Sequence, residues 1–208
     1  MKSGEENSGG LERLSLLASA LSGRALEVAA GEPGEPAWTD GRVLFVDPVA
    51  SAHDQLETLS VQASLLAAGS LEPDVVRRLA RHPALARRYL AVEGHRALAA
   101  NEDLLPPPVH SLIDCNIAGR GDSPAASLAA ALSREAIGDP PDNFGAIRAR
   151  HLLALSNRAD TPATMRAHVA HQQFNQVLVE LEEDEKDDVG STVDLFSSPV
   201  GGGGTLGR

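Results

Sequence analysis

From Ala50 onward the apolar residues recur at helical spacing, segment after segment, and glycine or proline closes each segment. This periodicity constrains the fold more than any motif does. A helix that is apolar along one stripe must bury that stripe, and a succession of them packs helix on helix. Composition points the same way. Hydrophobic residues make up 42% of the chain and aromatics only 3%, with alanine and leucine dominating. Both are strong helix formers, whereas strands favour β-branched and aromatic side chains.

Residues 1–9 are polar and read as disordered. A first amphipathic helix is expected from Leu11 to Leu21, with Leu11, Leu14, Leu17, Ala18 and Leu21 on one stripe and Ser22-Gly23 ending it. A small β-element of two or three strands follows at 26–46. Leu26 to Ala29 is one candidate strand, Arg42 to Val46 is the strongest, and Asp40-Gly41 is a tight turn. Helices are then expected over about Ala50 to Ala68, from Glu72-Pro73-Asp74 to Arg81, and over Pro83 to Asn101. In the last of these Leu85, Tyr89, Val92, Arg96 and Ala99 share a face. Residues 102–124 read as loop. Helices follow at about Pro124 to Ile137 and Phe144 to Ser156, separated by the breaker Gly138 to Asn143. A last helix is expected from Asp160 or Thr161, with Pro162 at its first position, to about Glu183. No internal repeat is visible.

The end of the chain has a different character. Residues 181–208 hold seven acids and two bases, so they carry −5 of the net charge of −11, and four glycines follow at Gly201 to Gly204. Acidic runs stay solvated and glycine runs behave as flexible coil. Residues 184–208 therefore read as a linker, and the chain as the front portion of a longer protein. The fold class expected is mainly α: a multi-helix domain at 10–183 with a small β-element, then a disordered acidic and glycine-rich linker.

Charge and cysteine content exclude several function classes. An acidic chain is a poor candidate for nucleic-acid binding through a broad basic surface, or for attachment to an anionic membrane. A single cysteine, Cys115, rules out a disulfide framework and fits a cytoplasmic protein. No apolar run approaches the length of a membrane span.

Candidate chemistry is sparse. Arg120-Gly121-Asp122 is an integrin-type tripeptide that reads better as a turn. The glycines at 201–204 lack the strand, helix and Lys-Ser/Thr of a phosphate loop. His168 and His171 share a helix face at i, i+3, but a zinc site needs three or four ligands, and His95 and His151 could contribute only if the fold brings them close. Cys115 beside Asn116 has no local nucleophile signature and reads as structural. Arg77, Arg78, Arg81, Arg87 and Arg88 form a candidate basic patch across two adjacent helices, able to meet acidic side chains or dock a partner. Glu93 and Arg96 lie at i, i+3 within an apolar stripe, the spacing of a partly buried ion pair.

The stretch Val61 to Leu71 followed by Leu85 to Arg96 resembles the N-terminal region of NorD/CobT-like proteins. These carry a von Willebrand factor A (VWA) domain at their C-terminus and work with MoxR-type AAA+ ATPases. Some relatives have a His-Glu-x-x-His segment before a Gly-Ser or Gly-Thr and a Glu-x-x-Arg on a later helix, a zincin-like arrangement. Counting back from Gly69 places the equivalent positions at Ser60, Val61 and Ser64, none of which can serve as ligand or base. Glu93 and Arg96 match the later element. The resemblance thus implies a helical framework that has lost its metal chemistry, with no catalytic residue, cofactor or metal. It implies that residues 194–200 and the glycines precede a VWA domain, whose Asp-x-Ser-x-Ser motif is absent from this sequence. The function implied is a chaperone-like adaptor that connects a MoxR-type ATPase to a client metalloenzyme complex. Two alternatives remain at this level: a zincin-like hydrolase using His95, His151, His168 and His171, and a self-contained structural or oligomerisation domain.

Overall fold

A computed structural model describes residues 3–155, and the fold is mainly helical with a three-stranded sheet near the N-terminus. Helix α1 (Ser3–Ser22) leads into strands β1 (Glu27–Ala30), β2 (Trp38–Thr39) and β3 (Val43–Val46). Helices α2 (Ala52–Ala67), α3 (Pro73–Leu79) and α4 (Pro83–Ala100) follow. The last helix to be expected, the acidic run, the glycines, His168 and His171 lie outside the described residues.

The sheet runs in the order β1-β3-β2. Strands β1 and β3 are parallel with Val28 opposite Leu44, and β2 is antiparallel to β3 with Trp38 opposite Phe45. The Asp40-Gly41 turn forms as the sequence indicates. Asp40 Oδ1 accepts from the Arg42 and Val43 amides at 2.8 and 2.7 Å, and Thr39 Oγ1 donates to the Val43 carbonyl at 2.8 Å. Period-2 alternation sends Val28, Thr39, Leu44 and Val46 inward. On the outer face Trp38 stacks on Phe45 with ring centroids 4.4 Å apart.

So few strands cannot bury a face alone, and α1 and α2 supply the cover. Two hydroxyls of α1 tie it to the sheet edge: Ser15 Oγ accepts from the Val28 amide at 2.9 Å and Ser19 Oγ from the Leu26 amide at 3.0 Å. Helix α2 starts at Ser51, whose hydroxyl caps the Asp54 amide. It is buried nearly all round from Leu59 to Leu66, which makes it the central helix. One apolar cluster joins α1, the sheet, α2 and the C-terminal half of α4 through Leu21, Leu44, Leu59, Leu65 and Leu98. A second joins α3, the start of α4 and later elements through Val76, Leu79, Tyr89 and Leu128.

Four boundaries differ from expectation. Helix α1 extends back to Ser3, into the stretch read as disordered. Residues 102–124 are not plain loop: they hold 3₁₀ turns at Glu102–Leu104 and Pro107–Leu112 and the short helix α5 (Cys115–Ala118), capped by Asp114. Helix α6 (Pro124–Leu132) stops five residues before Ile137. The guanidinium of Arg88 binds the carbonyls of Ala131, Ser133 and Glu135 at 2.9–3.0 Å, so a longer helix would have to surrender those contacts. Finally, Phe144 ends a 3₁₀ turn (Asp142–Phe144) instead of starting a helix, and helical structure resumes at 149–155. Gly145 has φ +72° and ψ −143°, a conformation no helix contains.

Candidate functional site

The Glu93–Arg96 pair forms. Arg96 Nε donates to Glu93 Oε2 at 2.7 Å, and a second guanidinium nitrogen donates to Oε1. Ser70 Oγ donates to the same Oε1, Arg96 Nη2 reaches the Ala68 carbonyl at 3.4 Å, and the Tyr89 hydroxyl donates to the Ser70 carbonyl at 2.9 Å. Glu93 is fully buried.

Local sequence explains the position. Gly69 adopts φ +68° after α2, with its amide on the Leu66 carbonyl and the Ser70 amide on that of Leu65, an αL helix terminus. That turn brings Ala68 and Ser70 against α4, where Tyr89, Glu93 and Arg96 repeat at helical spacing. Burial, and then the neighbouring carboxylate, push the Tyr89 phenol well above its ordinary range. The hydrogen bonds it donates to Glu93 hold Arg96 more firmly protonated, against a smaller opposing effect of burial. The network clamps the end of α2 to the middle of α4.

Positions 60, 61 and 64 are fully buried. Ser60 Oγ donates to the Leu56 carbonyl at 2.8 Å, Ser64 Oγ accepts from Asn101 Nδ2 at 3.2 Å, and Val61 belongs to the apolar core. Each has a packing or hydrogen-bonding task. Among the described residues no group of three or more His, Cys, Asp or Glu is arranged to hold a metal ion.

The arginines do not form one free patch. Arg77 pairs with Asp74, Arg87 with Asp139 at 3.2 Å, and Arg88 is spent on the end of α6. Arg78 and Arg81 remain exposed and unpaired among the described residues. Arg88→Ala is therefore expected to cost about 1–2 kcal/mol in urea unfolding through three orphaned carbonyls. Arg78→Ala and Arg81→Ala should stay within about 0.5 kcal/mol of the parent. Equal effects in all three would show that Arg88 does not hold α6.

His95 and His151 meet different aromatic rings. His95 lies edge-on to Phe144 at 4.7 Å and His151 edge-on to Trp38 at 4.8 Å, where Arg148 also sits over the indole at 4.6 Å. Arg120, Gly121 and Asp122 form the turn before α6, as the sequence indicates. Cys115 is exposed.

Burial lowers the pKa of His95 below its ordinary 6.5, against smaller upward contributions from the Leu112 carbonyl and Asp114. The unfolded chain then takes up this proton before the folded one does. Stability falls as pH drops through about 6.5 toward the folded-state value. His95→Gln should flatten the slope of unfolding free energy against pH between 7 and about 5.5; an unchanged slope would show that His95 is not its source.

Two open cavities were not legible in sequence. One, of about 580 Å³, lies between the Gly34–Ala37 loop, the first half of α2 and Asp142–Asn143, and Glu57 forms part of its wall. Glu57 is 7% exposed; Asn143 Nδ2 donates to its Oε2 at 2.9 Å and His53 Nε2 lies 3.1 Å from its Oε1. The other, also about 580 Å³, is lined by His95, residues 111–116, Pro141 and Asn143. The one sequence signal for the first was an acid, Glu57, one turn before Ser60 and Val61 on an inward stripe. The chain has no match among known protein families, curated proteins or solved structures.

Proposed function

We propose that this chain is a non-catalytic adaptor domain of a VWA-containing protein. In this reading it works with a MoxR-type AAA+ ATPase in the activation or maturation of a client metalloenzyme complex. The observation that carries the non-catalytic part is the closure of the Glu93–Arg96 element. Both Glu93 oxygens are committed to Ser70 and Arg96, and the side chain is inaccessible to solvent. An acid in that state holds helices together and is shielded from any substrate that would exchange protons with it. The buried tasks of Ser60 and Ser64 support the same reading.

The partner assignment rests on the resemblance of residues 61–71 and 85–96 to NorD/CobT-like proteins. Arg78 and Arg81, exposed on and just after α3, supply free cations for a docking face. The test is calorimetric titration of the full chain with a MoxR-type ATPase from the same genome. Saturable binding, weakened at least tenfold in Arg78→Glu/Arg81→Glu with unchanged thermal stability, is the expected result. Absence of binding by the parent chain would sink the ATPase assignment.

A further inference from the structure

Two arginines of the sequence patch keep their charge free, and the fold brings a third to them. Arg78 lies in the last turn of α3 and Arg81 just beyond it, with the Arg81 amide on the Arg78 carbonyl at 3.3 Å. Both are exposed and have no hydrogen-bond or ion-pair partner for their side chains among the described residues. Arg150, exposed on the helical segment at 149–155, donates from Nε to the Ala80 carbonyl at 3.2 Å. That bond holds its guanidinium at the same end of α3. Its Nη groups have no partner among the described residues.

The neighbouring chain supplies no counter-charge. Residues 75–92 hold five arginines and no acid, and residues 146–156 hold Arg148 and Arg150 and no acid. Asp74 and Asp139 are taken by Arg77 and Arg87, and Glu35 by Arg148. Cations near a helix C-terminus serve the fold by bonding its last carbonyls. Arg150 Nε does this for Ala80, whereas the side chains of Arg78 and Arg81 bond no carbonyl.

Three guanidinium forks on one small surface fit carboxylates, because the paired N–H donors of each fork match the two oxygens of a carboxylate. Nucleic acid is the poorer guest. It calls for a broad basic surface, and this chain carries 29 acids against 18 lysines and arginines. A short acidic peptide meets only the arginines, and salt screens it from the more distant acids. We propose that the C-terminal end of α3 docks an acidic peptide segment of a protein partner, whose side-chain carboxylates pair with Arg78, Arg81 and Arg150. The inference rests on the docking role given above to Arg78 and Arg81, and it does not require the partner to be the ATPase.

Fluorescence anisotropy tests this with the full chain and a labelled hexapeptide of alternating aspartate and glutamate. Saturable binding is expected, at least tenfold weaker for the matching asparagine/glutamine peptide. Arg78→Gln/Arg81→Gln should weaken binding at least tenfold and Arg150→Gln at least threefold, with thermal unfolding unchanged. Arg24→Gln/Arg42→Gln removes two other exposed arginines and should leave binding as it was, so it controls for net charge. Equal losses in the two double variants, or tighter binding of oligothymidylate than of the acidic peptide, would overturn the proposal. The chain's own acidic run is the competing occupant. Peptide binding that appears only in Glu182→Gln/Glu183→Gln/Asp184→Asn/Glu185→Gln would assign the arginines to that run and overturn the partner proposal. Peptide binding without ATPase binding keeps this surface and sinks only the ATPase assignment; no saturable peptide binding sinks this surface even if the ATPase binds.

Discussion

Replacing Gly145 by alanine is expected to destabilise the fold by about 4 kcal/mol or more, enough to leave a marginal domain largely unfolded. Two costs add. The backbone at φ +72° and ψ −143° is accessible to glycine but strained for any side chain. A Cβ there would also lie 2.2 Å from the Ala37 carbonyl oxygen and 3.0 Å from Gln62 Nε2. Neither neighbour can step aside freely. The Ala37 carbonyl accepts the Ala146 amide at 2.8 Å, and Gln62 Nε2 donates to the Phe144 carbonyl at 2.8 Å. The segment that carries Phe144 and Asn143 would lift off α2. Gly138→Ala is the control, because a Cβ there meets nothing within 4 Å and the backbone is not left-handed; it should be neutral within about 0.5 kcal/mol. Denaturant unfolding of both variants decides the matter, and similar midpoints would refute the account of Gly145.

Arg96→Met should cost about 3–5 kcal/mol, the usual penalty for removing one partner of a buried ion pair. Glu93 is fully buried and would keep only the Ser70 hydroxyl as a donor. The double variant Glu93→Gln/Arg96→Met should be more stable than Arg96→Met alone, since the uncompensated charge is gone. That non-additivity, read from a double-mutant cycle by urea unfolding, is the signature of a closed clamp. Additive losses would mean that water reaches Glu93 once the arginine is removed, and that the pair is less enclosed than its geometry indicates.

Much of the framework was legible because it is written in local chemistry. Pro73 and Pro83 at first helical turns, and Gly69 closing the helix expected from about Ala50, mark the helices directly. Asp40-Gly41 marked the turn between β2 and β3. The i, i+3 spacing of Glu93 and Arg96 put them on one face, and the apolar stripe around them indicated burial. The errors arise where distant groups decide. Helix α6 stops early because Arg88, more than forty residues away, takes the carbonyls of its end. Phe144 does not open a helix because Gly145 must pass over Ala37. The basic patch dissolves because Asp74, Asp139 and the end of α6 each claim one arginine, and sequence spacing places only the first of these nearby.

By itself, then, the sequence determined a mainly helical domain with a small sheet inserted after the first helix, and the pairing of Glu93 with Arg96. Those features follow from periodicities of two and 3.6 residues and from backbone preferences that act within one turn of chain. Only the tertiary structure decided that Ser70 and Tyr89 close the clamp, and that Asn143 borders two cavities while bonded to Glu57. It also decided that His95 is held between the Leu112 carbonyl and the Asp114 amide. Each of these joins residues 19 or more positions apart in the chain, or 17 for His95 and Leu112. Contacts at that range are set by how helices pack, and no local propensity encodes them.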